Sequence, residues 1–328
     1  MIPRSARPRL LALALTLFAA GCGKSQPDAA PTLRIADQLT GVQSVLTAAG
    51  ELTPKDYRIQ WSNFLGGPAI IAAQTGGSVD LGWMNETPLV FAQAAGSPVK
   101  VVAVARGGSE ASSNIALVVA AGSPIKSVAD LRGKKVGYLP GTITQYLVIR
   151  LLEKEGLTPD DITTVRLSSL SAATLDRGVV DAFTAGEPTI SQGLRDGRLR
   201  VLGYAGQPLT PGLQYLVASD AALADPKRSA LIGEFVQRLA RATHWQDSHA
   251  EQAAPIIAKT YKVDTALAAD IIRRTPTRYV PIDDAVVAAH QQEADVFHRL
   301  GLIKTRVDAA KLFDHRYDTL VAQAETAK

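Results

Sequence analysis

From position 32 onward, short apolar runs and helix-forming stretches alternate. That rhythm restricts the chain to sheets layered with helices. Leu33-Arg34-Ile35-Ala36 reads as a first strand, and Asp37-Gln38-Leu39-Thr40-Gly41 turns into a helix. Residues 57–61 alternate like a second strand. Gly66-Gly67-Pro68 opens a helix over 69–74, with proline where its missing N–H is harmless. Val79-Asp80-Leu81-Gly82 is a short strand, followed by Asn85-Glu86-Thr87-Pro88 and a helix through Ala95; 99–104 is another buried strand. The spacing predicts βαβ units and a mostly parallel sheet.

The second hundred residues repeat the plan. Lys135-Val136-Gly137-Tyr138 is a strand, Gly141-Thr142 turns, and 145–155 is an amphipathic helix ending at Gly156. Residues 163–167 form a strand, and Ser171 is placed to cap a helix over 172–176. One segment echoes across the halves. Asp80 is followed six residues later by Glu86 and then Pro88, and Asp181 six residues later by Glu187 and then Pro188. With matching flanking elements, this predicts two lobes of related α/β architecture. The segment 228–328 reads as helical, with no strand.

Ahead of the alternating body lies a different segment. Arg4, Arg7 and Arg9 precede an apolar run over 10–18 that exits through Ala19-Ala20-Gly21-Cys22. A basic start, a short apolar core and a small-residue exit describe a secretory signal peptide, too short to span a bilayer. Cys22 is the only cysteine in 328 residues, so it forms no internal disulfide. The run ending at Cys22 resembles the lipobox of bacterial lipoproteins, in which that cysteine is lipidated and becomes the N-terminus. Residues 1–22 are therefore expected to be leader and lipobox, and 23–31 a flexible tether. Lipid chains anchor such a protein through buried methylenes, each contributing about 0.8 kcal/mol.

The pool is 46% hydrophobic and 20% charged, as in ordinary globular chains. Losing three arginines with the leader brings the formal net charge of +4 close to zero. With no basic stripe interleaved with aromatics, this argues against nucleic acid as a partner. No later stretch is apolar enough to cross a membrane.

Chemistry concentrates in the turns. In open α/β sheets, ligands bind beyond the carboxyl ends of the strands, where helix N-termini offer unpaired N–H groups and attract anions. Thr142 with Gln145 three residues on matches a capping box, and Thr144 adds a second hydroxyl. The same residues are also explained as a helix cap alone. Gly66, Gly67, Thr87 and Pro88 carry the same two readings. No catalytic constellation competes: the five histidines, at 244, 249, 290, 298 and 315, form no HExxH pair, and no GxSxG, GxxxxGK[ST] or GxGxxG motif occurs. No metal site and no cofactor are expected. Glu86 and Glu187 each precede a helix, where carboxylates are favoured structurally. Asp80 and Asp181 fit strand-end hydrogen bonding.

These residues resemble an ABC-transporter solute-binding protein of the aliphatic sulfonate/nitrate/taurine group, over roughly residues 31–315. The resemblance rests on Leu33-Arg34-Ile35-Ala36, on the 76–82 and 88–96 segments, on Ser123-Pro124-Ile125-Lys126-Ser127-Val128-Ala129-Asp130-Leu131-Arg132-Gly133-Lys134-Lys135-Val136, on the Gly141 turn, and on Val180-Asp181-Ala182 with Glu187-Pro188. It implies a two-lobed, periplasmic-binding-protein-like type II α/β fold with two crossover hinge strands near 114–119 and 214–218. Lobe 1 is then 32–115 plus 216–328, and lobe 2 is 116–215. The implied ligand residues are Gln38, Gly66, Gly67, Asn85, Glu86, Thr87, Gly141, Thr142, Thr144, Gln145 and Glu187. The implied partners are a small organic anion such as a sulfonate and an ABC permease with its ATPase, for a monomer held extracytoplasmically at the membrane by lipid. Where the group commonly has an aromatic before the acidic-Pro pair, this chain has Ala185-Gly186, leaving room for a bulkier organic tail. Two other classes share the fold: a lipoprotein reporting to a membrane sensor, and an enzyme of thiamine-pyrimidine synthesis. Against the enzyme stand the leader and the lack of a cysteine in the body.

Overall fold

The first strand, β1 (Thr32–Gln38), buries Leu33, Ile35 and Ala36 and sits between β2 (Arg58–Phe64) and β3 (Leu81–Asn85), both parallel to it. Helices α1 (Gly41–Ala48), α2 (Gly67–Thr75) and α3 (Thr87–Ala94) return the chain between strands, and β4 (Val99–Arg106) follows. The computed structural model describes residues 30–107, 113–167 and 172–326. The leader, Cys22, all but the last two residues of the tether, and Ser171 lie outside the described residues.

The second half runs β5 (Ile115–Ala120), β6 (Lys135–Tyr138), α4 (Ile143–Lys154), β7 (Thr163–Arg166), α5 (Ala173–Asp176), β8 (Ala182–Gly186), α6 (Thr189–Arg195) and β9 (Leu199–Tyr204). The chain then returns through β10 (Leu213–Ser219), α7 (Asp220–Ala224), α8 (Pro226–Ser248), α9 (Ala250–Tyr261), α10 (Thr265–Arg274), β11 (Arg278–Val280), α11 (Asp284–Arg299) and α12 (Asp318–Thr326).

Two sheets result, one ordered β11-β4-β10-β3-β1-β2 and the other β7-β6-β8-β5-β9. Leaving β11 aside, the orders superpose: β1 corresponds to β6, β2 to β7, β3 to β8, β4 to β9, and β10 to β5. In each sheet the strand that enters from the other half is antiparallel to its neighbours. The sheets are therefore mostly parallel, as the alternation predicts, with one inserted antiparallel strand apiece and β11 added to the first. The Asp echo has a structural basis. Asp80 accepts from the Arg34 N–H at 2.9 Å, and Asp181 from the Lys135 N–H at 2.8 Å, each pinning the start of one strand to the next.

Two expectations need correction. The stretch 228–328 contains a strand: β11 pairs antiparallel with β4 through Tyr279. It is three residues long with one buried side chain, too short to display a period of two. The third strand of each half starts at Leu81 and Ala182, one or two residues later than the apolar runs 79–82 and 180–182 suggest; Asp80 and Asp181 just before them hold the neighbouring strands β1 and β6 through their side chains. Residues 114–119 and 214–218, expected as crossing strands, fall on β5 and β10, the strands that enter each sheet from the other half. The chain changes sheets just before them, between Gly107 and Ser113 and again over 205–212. The described ends of the two passages are tied together: the Gly107 N–H donates to the Gly212 carbonyl at 2.8 Å, and the Ala205 N–H to the Ile115 carbonyl at 2.9 Å.

Apolar faces close each layer. Leu33, Leu46, Leu216, Phe235 and Val236 form one core of the first sheet, beneath α1 and α8. In the second sheet, Leu117, Val136, Leu147 and Leu152 pack with Phe297 of α11. Phe297 is fully buried between Phe91 of α3 and Tyr146 of α4, at ring centroid distances of 4.9 and 5.6 Å. One aromatic side chain thus joins helices belonging to both sheets. Among the described residues, no helix is long and apolar enough to cross a membrane.

Candidate functional site

Strand β3 ends at Asn85, opposite Gln214 of β10, and the chain turns at Glu86 into α3. This corner, the two inter-sheet passages and the helices α8 to α10 enclose a cavity of about 170 Å³. Asn85, Glu86 and Gln214 line it from the first sheet; Ile143, Glu187 and Gly206 line it from the second half; and Thr243, Gln246 and Tyr261 cover it. Among the described residues, no Lys, Arg or His lines this space, and its two acids are Glu86 and Glu187. An anion here would be held by neutral dipoles: side-chain amides, hydroxyls and the backbone of the passages.

The two acids, equivalent in the echo, have opposite surroundings. Glu187 is 3% exposed and forms an ion pair with Arg274 at the end of α10. Its carboxylate also accepts from the Ser191 N–H and hydroxyl at 3.2 and 3.1 Å. Arg274 further donates to the Ser113 carbonyl at 3.2 Å and the Ser191 hydroxyl at 2.8 Å. This carboxylate is therefore satisfied within the protein. Glu86 is 1% exposed, and neither of its oxygens has a hydrogen-bond partner among the described residues. Burial pushes its carboxyl well above the ordinary range, against a smaller opposing effect of its own backbone N–H and that of Leu213.

Behind Glu86 lies a polar cluster. Glu293 of α11, fully buried, accepts from the Thr87 hydroxyl. Burial and then the nearby Glu86 carboxylate push Glu293 up, and burial pushes His290 down to about 3. Thr87 is thus committed to Glu293, and it is absent from the cavity wall.

The Gly141 turn spends its hydroxyls and the Gly141 N–H internally. The Thr142 hydroxyl donates to the Leu139 carbonyl at 2.8 Å, the Thr144 hydroxyl accepts from the Leu139 N–H at 3.0 Å, and the Gln145 side-chain amide oxygen accepts from the Gly141 N–H at 2.7 Å. Gly141, Thr142, Thr144 and Gln145 do not line the cavity; Ile143 between them does. The turn of the second half meets the opening of α2. A Cβ on Gly141, whose φ is +69°, would lie 3.7 Å from Pro68 and 4.0 Å from Phe91. Gly66 and Gly67 sit in that opposing turn, outside the cavity wall. At Gly67 a Cβ would meet Pro88 at 2.5 Å, so glycine there lets the starts of α2 and α3 pack together. Gln38 also lies off the wall and donates to the Trp83 carbonyl at 3.0 Å, tying the ends of β1 and β3 together.

Of the sequence candidates, the structure brings Asn85, Glu86 and Glu187 to one cavity, and gathers the turns bearing Gly66, Gly67 and Gly141 beside it. Sequence reasoning missed Gln214, Thr243, Gln246 and Tyr261 as lining groups. Gln214 carried a signal, at the edge of an expected crossing. The α8 and α9 residues carried none, because polar side chains on a helix look alike in sequence whether they face solvent or a pocket. Among the described residues, no cluster of three or more His, Cys, Asp or Glu could hold a metal ion.

Two like-ordered sheets joined by paired passages, with a cavity at their junction, define a two-lobed protein of the periplasmic-binding-protein fold. Residues 67–253 match the model of the family described as NMT1/THI5 like. An aliphatic sulfonates-binding protein of Escherichia coli (strain K12) is 34% identical over 301 residues, covering 90% of this chain and 91% of the relative. The crystal structure of the periplasmic aliphatic sulphonate binding protein SsuA from Escherichia coli superposes with a TM-score of 0.74 at 30% identity, over 86% of this chain and 92% of that one. The alkanesulfonate-binding protein SsuA from Xanthomonas axonopodis pv. citri, bound to MOPS, gives a TM-score of 0.76 at 25% identity, over 88% and 99%. The chain belongs to the NMT1/THI5-like family, with the SsuA proteins as its homologues.

Proposed function

We propose that the protein is the extracytoplasmic solute-binding subunit of an ABC importer, taking up an organosulfonate or related small organic anion between its two lobes. It delivers that anion to a permease powered by an ATPase, and works as a monomer. The observation that carries this reading is the cavity at the junction of two like-ordered sheets, in a chain homologous to sulfonate-binding proteins over most of its length. A ligand touching both lobes favours the closed arrangement, because contacts to both exist only there. The non-catalytic reading is supported by the same homology and by the absence of any cysteine after position 22.

A thermal-shift screen tests the ligand class, with alkanesulfonates, aminoalkanesulfonates, nitrate, sulfate esters and aromatic carboxylates as the panel. A ligand at a hundred times its Kd stabilises by about 2.7 kcal/mol, and a protein of this size then melts several degrees higher, about 2–4 °C for each kcal/mol. Sulfonates are expected to raise the melting temperature. A rise with nitrate or carboxylates and none with sulfonates would reassign the substrate.

The same reading makes residues 1–22 a leader and Cys22 the lipid anchor. No other residue can take the acyl chains, so Cys22→Ser is expected to move the protein from the membrane fraction to the soluble one, or to block maturation. Recovery of the serine variant in membranes at wild-type mass overturns the lipid anchor at Cys22.

A further inference from the structure

A cavity that takes anions should not present a net negative wall, yet among the described residues this one carries two acids and no Lys, Arg or His. Glu86 adds little charge, because its carboxyl oxygens lie beneath the surface and burial favours the protonated form. Glu187 is a paired carboxylate, held by the Ser191 N–H and hydroxyl at 3.2 and 3.1 Å and by its ion pair with Arg274. Arg274 itself is absent from the wall. It closes α10, where a cation suits the helix C-terminus, and its guanidinium reaches Glu187 from outside the cavity. The same group donates to the Ser191 hydroxyl at 2.8 Å and the Ser113 carbonyl at 3.2 Å, so three partners fix it beside that one carboxylate. With side chains 30% and 3% exposed, the cation keeps contact with water and the acid does not.

We propose that Arg274 makes the cavity receptive to an anion by cancelling the charge of Glu187 from outside the wall, as a positioning residue that never touches the ligand. This rests on the sulfonate reading above and adds the residue that sets its electrostatics. Two unit charges about 6–10 Å apart, at an effective dielectric constant of about 20, repel enough to change a binding constant about ten- to a hundredfold. Without Arg274 a sulfonate would meet that repulsion in full, since no described residue on the wall is cationic. Without Glu187 the same sulfonate would meet an unmasked guanidinium and gain affinity. The two partners of one ion pair therefore act on the ligand with opposite signs. A clasp that served the fold alone would give losses at both, because each partner needs the other.

Calorimetry of butanesulfonate binding to the full chain tests the signs. Arg274→Gln is expected to weaken binding about ten- to a hundredfold, and Arg274→Lys, which keeps the charge, to lose less. Glu187→Gln is expected to strengthen binding, by up to about tenfold, because Arg274 stands farther from the ligand and closer to water. Removing both charges, with Arg274→Gln and Glu187→Gln together, is expected to recover most of the affinity lost in Arg274→Gln. Melting curves of each variant separate lost folding from lost binding. Glu187→Gln strands no buried charge, so it and the double variant read the signs even if Arg274→Gln is unstable. Weaker or unchanged binding in Glu187→Gln, or unchanged binding in a folded Arg274→Gln, overturns the proposal; the pair is then a clasp of the fold, and the sulfonate reading stands. Wild type that binds neither butanesulfonate nor any other sulfonate of the thermal-shift panel overturns the sulfonate reading and this inference with it.

Discussion

Replacing Phe297 by alanine is expected to lower the unfolding free energy by about 3–5 kcal/mol, the range for removing a large buried aromatic. The ring is fully buried and touches rings from helices of both sheets, so no single layer can collapse into the space it leaves. The Phe91 and Tyr146 contacts add aromatic geometry worth about 0.5–1.5 kcal/mol beyond area burial. Phe297→Leu keeps much of the volume and is expected to lose less. Denaturant unfolding at constant slope measures both. A loss below about 1 kcal/mol for the alanine variant would place it among ordinary surface changes, and the bridging role of α11 would be wrong.

The second large effect is expected at Asp80. Its carboxylate is fully buried and holds Arg34 through Nε at 3.0 Å and a terminal nitrogen at 2.6 Å, with Arg228 of α8 at 3.2 Å. One side chain thereby joins β1, the start of β3 and the long C-terminal helix. Asp80→Asn is expected to cost about 3 kcal/mol, the low end for breaking a buried ion pair, because both guanidiniums keep contact with water. Despite burial, hydrogen bonds and charge from Arg34 hold the Asp80 carboxyl below its ordinary value of 3.8. A depressed folded-state pKa stabilises the protein above that ordinary value, and the contribution is lost as pH falls through the depressed one. The gap between wild type and Asp80→Asn is therefore widest at neutral pH and narrows in acid. A gap constant from neutral pH down to about pH 2 would mean that the carboxylate charge contributes nothing and that only shape was lost.

Much of the fold was legible because its signals are local. Strand and helix alternation, proline at the opening of α2 and α3, and the Asp-to-Glu-Pro echo each occupy a few neighbouring residues. The echo was informative for a physical reason: Asp80 and Asp181 make the same backbone hydrogen bond to the neighbouring strand. The missed strand β11 had no such signal, since its pairing partner β4 lies more than 170 residues away in the chain.

The candidate site divides the same way. Asn85, Glu86 and Glu187 could be found because they sit at carboxyl ends of strands, a place the alternation itself specifies. The Gly141 turn is equally visible, yet its hydroxyls and the Gly141 N–H are consumed by Leu139 and Gln145, a matter of hydrogen-bond geometry inside one turn. The helices that roof the cavity follow the second passage between sheets. Which of their polar residues face inward depends on how the C-terminal segment packs over the junction.

By itself, then, the sequence determined the class of fold, the doubling of the α/β unit, the leader-like start and the two acids at equivalent turns, because each is encoded within a short stretch. Only the tertiary structure decided that those acids differ. Arg274, 87 residues from Glu187 along the chain, comes to neutralise it, while among the described residues no side chain pairs with Glu86. Charge pairing across such distances is a property of packing, and that packing leaves one of two equivalent acids buried without a side-chain partner among the described residues.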